Sequence, residues 1–161
     1  MKKIIELSYS KNEMYEKFFP KIKDQVFHFT SGKNLASILI DNEIKPNKED
    51  VIKTSAHSQN SLSKFLNAVS LFDLRDKEIE VIEEVRSMYN FLAPRFRDDT
   101  LVYLIMSPKY YKDIYTTDNV SKSHRDSTMY LPHIESFHIN SLSIDKIDVI
   151  YRVKLTDALF D

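Results

Sequence analysis

"FHFTSGKNLASIL" (residues 27–39) runs from an aromatic, β-favouring stretch through the only glycine of the chain into an apolar pattern of helical spacing. In a strand, successive side chains point to opposite faces, so His28 and Thr30 share one face and Phe27 and Phe29 the other. Beyond Gly32, Leu35, Ile38 and Leu39 recur at helical spacing, which predicts a helix over residues 34–42. Asn34 stands at its start, placed to cap it or to reach back four residues toward Thr30. Two hydrogen-bonding side chains at the end of an apolar strand, just before a turn, either satisfy each other in a core or face something small and polar.

Working outward, "KNEMYEKFFPKIK" (11–23) reads as a helix, apolar at Met14, Phe18 and Ile22 and bent or ended by Pro20. Residues 1–24 are therefore expected to form a helical extension. The serines and threonines of 54–63 predict a loop and a short helix. "NAVSLFDL" (67–74) reads as a strand with Ser70 among apolar neighbours, and residues 77–92 as an amphipathic helix. "TLVYLIM" (100–106) is a buried strand, and "SPKYYKDI" starts a short helix with Ser107 as cap and Pro108 at its first position. Residues 116–128 read as an exposed loop, and "HIESFHI" and "IDVIYRVKL" as two closing strands. Helices early and strands late, without regular βαβ alternation, predict one α+β domain over 1–161 with a mainly antiparallel or mixed sheet.

Composition narrows the chemistry. With 161 residues, 42% of them apolar, the chain is long enough for one sizeable core. The formal charge of −1 provides no global attraction for nucleic acid or an anionic membrane. The absence of cysteine removes disulfides, thiolate metal sites and a cysteine nucleophile. No apolar run approaches the length of a signal peptide core or membrane span, so a cytoplasmic protein without membrane contact is expected. A single glycine cannot build a phosphate-cradling loop of the P-loop or dinucleotide type.

Three places carry possible chemistry. The first is His28 with Thr30 and Asn34. The second is Ser70, followed by Asp73, Arg75 and Asp76, which read as an ion-pair cluster. The third is "YLPHIESFHI" (130–139), where a period of two puts His133, Glu135 and Phe137 on one strand face. A carboxylate within so apolar a strand is costly to bury unless it is paired or faces a ligand; the simpler reading is an edge-strand glutamate in water. His133 and His138 fall on opposite faces of a strand, and no helical metal motif is present, so no metal is expected. No serine has the glycine-flanked turn of a hydrolase nucleophile.

Taken in order, these elements resemble the ADP-ribosyltransferase superfamily. "HFTSGKNLASIL" is similar to the opening motif of toxins that ADP-ribosylate DNA bases (the DarT kind), roughly H-x-T-x-x-x-N-L-x-x-I-L. His28, Thr30, Asn34, Leu35, Ile38 and Leu39 fill every position. The wider superfamily carries a histidine or arginine on an early strand, a serine, threonine or tyrosine on a middle one and a glutamate on a late one; His28, Ser70 and Glu135 follow that order. The resemblance covers residues 26–154, although many relatives carry glycine where Phe29 stands and 76–130 matches no part of the pattern.

The resemblance implies a split mixed or antiparallel sheet with peripheral helices that pinches NAD between its halves without a glycine-rich loop. It implies NAD as substrate, a protein or nucleic-acid acceptor, and a role in toxin-type or phage–host conflict. Glu135 and His133 would be the catalytic residues. His28, Phe29, Thr30, Asn34, Ser70 and Arg75 would bind NAD, Phe29 through its main chain; Lys53 and Lys64 are further candidates for its phosphates. Residues 76–99 and the polar stretch with Lys122, His124 and Arg125 are candidates for reading the acceptor. The rival expectation is a non-catalytic, antitoxin-like binding protein on the same fold.

Overall fold

The chain begins as a strand. In the computed structural model, which describes residues 2–46, 61–94 and 99–157, β1 (Lys3–Tyr9) half-buries Ile5, Leu7 and Tyr9 and exposes the residues between them. The expected helical extension is helical only from Lys11, through α1 (Lys11–Glu13), a π-helical turn (Met14–Phe18) and α2 (Phe19–Ile22). Ser10 starts it with a capping box: its hydroxyl accepts from the Glu13 amide while the Glu13 carboxylate accepts from the Ser10 amide. Pro20 lacks an N–H and its ring crowds the carbonyl four residues back, and the widened π turn just before it accommodates both.

β2 (Val26–Ser31), a 3₁₀ turn (Gly32–Asn34) and α3 (Leu35–Asp41) follow the pattern of the opening stretch. Asn42 ends α3 in the left-handed conformation, at φ 57°. β3 (Glu43–Ile44) comes next; the loop expected from residue 54 lies outside the described residues up to 60. α4 (Leu62–Leu66) is capped by Ser61, and β4 (Ala68–Asp73) matches "AVSLFD". α5 (Ile79–Met88) is shorter than the expected 77–92. Tyr89 leaves it in an extended conformation because its ring packs against Phe29 and Phe72 instead.

β5 (Thr100–Met106) and the Ser107-capped 3₁₀ helix Pro108–Asp113 agree with the sequence reading. The stretch expected as a loop is exposed but ordered into β6 (Tyr115–Thr116), a 3₁₀ turn and α6 (Lys122–Ser127), the last started by the Ser121 hydroxyl. β7 (Glu135–Ile139), β8 (Leu142–Ser143) and β9 (Ile147–Leu155) complete the fold. No helix among the described residues is long and apolar enough to cross a membrane.

The architecture is α+β. Seven strands form one sheet in the order β1-β9-β5-β2-β4-β7-β6, antiparallel except for β1 beside β9, and β3 pairs with β8 separately. Each face of the large sheet has its own core, which is why β5 is apolar on both sides. One face is aromatic: Phe27, Phe29, Phe72, Phe91 and Tyr103 pack beneath α2 and α5. The other is aliphatic: Val26, Leu71, Val102 and Ile150 pack against α3 and the β3–β8 pair.

Phe27 is fully buried, stacked on Phe72 with ring centres 5.3 Å apart and edge-on to Tyr103. We expect Phe27→Ala to lower unfolding stability by about 3–5 kcal/mol, the usual cost of emptying an aromatic site in a core. Urea denaturation followed by circular dichroism measures it.

Candidate functional site

Pairing between the strands is uneven at the centre of the sheet. β2 pairs with β5 over five residues, from Phe27–Ile105 to Ser31–Leu101. β4 pairs with β7 over five, from Phe72–Glu135 to Ala68–Ile139. Between β2 and β4 the register holds for two pairs only, Val26–Asp73 and Phe27–Phe72. The sheet therefore opens between β2 and β4 beyond that point.

The opening has a specific chemical consequence. Leu74 N–H donates to the Gln25 carbonyl at 3.0 Å, so odd-numbered residues of β2 direct their main-chain groups toward β4. Were the register to run on, Phe29 would face Ser70 and give its N–H to the Ser70 carbonyl. Instead that carbonyl accepts from His28 Nδ1 at 2.8 Å. A carbonyl only accepts, so Nδ1 carries the proton and Nε2 presents a lone pair. Burial lowers the imidazole pKa and the bond to Ser70 opposes that shift in part, which keeps the ring neutral. Nε2 has no partner among the described residues.

Ser70 also reaches the acid. Its hydroxyl donates to Glu135 Oε2 at 2.7 Å, and the Leu131 amide donates to Oε1 at 2.7 Å. Desolvation raises the Glu135 pKa, while these two hydrogen bonds hold it back. Among the described residues no cation pairs with this carboxylate. A carboxylate that is half-buried, without a cation among the described residues and fixed by two donors is the kind of group that functional sites collect.

The two key side chains approach from opposite sides of the sheet. Alternation puts His28 and Thr30 with Val26 on the aliphatic face, and Ser70 and Glu135 with Phe72 on the aromatic face. They meet in the opening at Ser70, whose carbonyl serves one and whose hydroxyl serves the other. Thr30 Oγ1 accepts from Asn34 Nδ2 at 2.8 Å; Asn34 makes no side-chain cap, so of its two expected roles it takes the reach back toward Thr30. That bond leaves the threonine proton pointing elsewhere.

Two expected placements are corrected. His133 does not share a strand face with Glu135 and Phe137, because β7 starts at Glu135 and His133 lies exposed in the preceding turn. Its φ of 71° is left-handed, a region that histidine tolerates better than most residues. The bond from Glu135 N–H to the Leu131 carbonyl at 3.2 Å closes that turn. Arg75 is not brought to His28, Ser70 or Glu135. Its guanidinium forms a fork with Asp73 (2.9 and 2.7 Å) and lies 4.5 Å over the Tyr111 ring, beyond the closed end of the β2–β4 pairing. Asp73 is held well enough by this pair for its pKa to fall despite burial. Lys53 lies outside the described residues, and Lys64 sits on α4, which leads into the opened end of β4.

Sequence reading missed the Leu131 amide as a holder of Glu135, since a main-chain donor across a turn leaves no mark in residue types. It also placed Tyr89 inside the helix expected over residues 77–92, whereas α5 ends at Met88. Among the described residues, no three histidine, aspartate or glutamate side chains gather into a group able to hold a metal ion. No protein-family model matches the chain, and comparison with curated proteins and with solved structures gave no match.

The histidine geometry has a measurable signature. Because burial puts the folded-state pKa of His28 below that of a free imidazole, its contribution to stability is present above the free value and is lost as pH falls toward the lowered one. Nitrogen-15 NMR at neutral pH is expected to show the proton of His28 on Nδ1. Denaturation midpoints of His28→Gln should fall less steeply below pH 6.5 than those of the parent.

Proposed function

We propose that the protein is an NAD-dependent mono-ADP-ribosyltransferase acting on a macromolecule, protein or nucleic acid, in a toxin-type or phage–host conflict. One observation carries this reading: His28 and Glu135, far apart in sequence, converge through Ser70 on the place where the central ladder opens. An opened antiparallel sheet with an imidazole and a carboxylate that meets no cation among the described residues supports the split-sheet fold that the opening motif implies.

In this reading the bond between the ribose C1′ and the nicotinamide nitrogen breaks, and its electron pair leaves with nicotinamide. Positive charge grows on the ribose, as in glycoside cleavage. The Glu135 carboxylate, fixed by Ser70 and the Leu131 amide, stabilises that charge and hydrogen-bonds the ribose hydroxyl; fixed groups in a dry site do this best. His28 Nε2, the acceptor left open by its tautomer, takes a hydroxyl of the adenosine ribose, with Thr30 donating beside it and Asn34 holding Thr30. The main chain of Phe29, which faces the opening, holds the nicotinamide amide. The acceptor nucleophile attacks C1′ and its proton passes to Glu135 or to His133, which stands exposed two residues before it, on the side a large acceptor can reach.

A binding role without turnover has one observation in its favour, the commitment of Arg75 to Asp73, which leaves the phosphates of NAD without that partner. Nicotinamide release separates the two readings. We expect the purified protein to release nicotinamide from NAD in the presence of cell extract. Glu135→Gln should lower that rate by about a hundred-fold, roughly 3 kcal/mol of transition-state stabilisation, without loss of fold. His28→Ala should weaken NAD binding in titration calorimetry. An Glu135→Gln rate equal to the parent's would remove Glu135 from the chemistry. Because burial raises the Glu135 pKa, the ionised form is lost as pH falls through that raised value, and the parent's rate should drop on the acid side.

A further inference from the structure

β1 is an edge strand. All of Lys3–Tyr9 is in register with β9, and no described strand pairs with its other side. The Thr156 amide donates to the Tyr9 carbonyl at 2.9 Å, so the odd-numbered residues of β1 turn their main-chain groups toward β9. Those of Ile4, Glu6 and Ser8 consequently face outward. Natural sheets guard such an edge with a proline, a bulge or a very short strand, and β1 has none of these. Ile4 stands beside the buried Ile150 on the aliphatic side of the sheet, yet it is 41% exposed. The aliphatic core thus reaches an open edge and ends there in an exposed isoleucine.

We propose that the outer edge of β1 is an interface for a second copy of this chain, joined antiparallel so that Ile4 faces Ile4 across a two-fold axis. An axis perpendicular to the sheet keeps each residue on its own face in both copies, so an outward-facing residue opposes another outward-facing one. Charge then selects the register. Centring the pair on Glu6 sets like charges opposite each other, and centring it on Ile5 sets Ile4 against Glu6. Centring it on Ile4 sets Lys2 against the Glu6 of the other copy twice, with the two isoleucines between these pairs. Glu6 meets Arg152 at 3.0 Å but stays exposed, so a second cation can approach its carboxylate; the Lys2 ammonium rests only on the exposed Asp145 carbonyl, at 3.2 Å. A net charge of −1 gives two copies little to repel each other with. The inference stands apart from the NAD reading.

Sedimentation equilibrium of the full chain is expected to show monomer and dimer in exchange. Lys2→Glu should raise the dimer dissociation constant by about tenfold or more. Adding Glu6→Lys to it should restore the dimer, because the two charges are then exchanged in both copies. Ile4→Pro removes an outward amide and should give a folded monomer by circular dichroism, since proline is tolerated on that side of an edge strand; if this variant does not fold, the charge exchange decides. As the chain has no cysteine, Ile4→Cys supplies a single thiol, and mild oxidation should join it into a covalent dimer faster than Glu6→Cys. A parent that stays monomeric at every concentration overturns the proposal, as does a dimer that Lys2→Glu leaves intact. A double variant as weak as Lys2→Glu, or faster cross-linking through Glu6→Cys, overturns it by excluding this register.

Discussion

The early end of the ladder between β2 and β4 is the constraint on which the rest of the site depends. Strands in a sheet normally stay paired because each unpaired main-chain group loses a hydrogen bond. Here pairing stops after Phe27 and Phe72 although both strands run on. The Ser70 carbonyl is satisfied by an imidazole in place of a neighbouring amide. That substitution fixes the tautomer of His28, keeps the opening polar, and leaves the Ser70 hydroxyl to serve Glu135. One residue on β4 thus sets the state of two ionisable groups that come from different strands and from different faces.

The outer pairings keep the opening in place. β2 is held to β5 and β4 to β7 over five residues each, and two separate cores cover the faces. Closed-end contacts also count: Arg75, forked onto Asp73 and stacked on Tyr111, ties the end of β4 to the 3₁₀ helix after β5. Ser136 adds a long bond to the same aspartate at 3.4 Å. A residue the motif suggested for ligand phosphates thus acts as a strut where the two halves of the sheet join.

Much of the fold was legible because it is local. Alternation and apolar runs marked β2, β4, β5 and β9 nearly to their ends, and helical spacing with Gly32 marked the turn into α3. β1 was not legible: Ile4 and Ile5 side by side blur its alternation, and its partner β9 lies at the other end of the chain. Of the site, residue types suggested that His28, Ser70 and Glu135 are unusual where they stand, since each is polar in an apolar strand. Their meeting depends on where a ladder stops, and register between distant strands is not written in any single segment. The strand face expected for His133 was missed for the same kind of reason, because the left-handed backbone of His133 itself ends the period of two before β7 begins.

The most direct test is a crystal structure of the protein with an NAD analogue whose ribose–nicotinamide bond resists cleavage. We expect the analogue between β2 and β4, with its nicotinamide ribose hydroxyls within hydrogen-bond reach of Glu135 and its adenosine ribose near His28 Nε2. An analogue bound elsewhere on the molecule, with the His28–Ser70–Glu135 path untouched, would contradict the account.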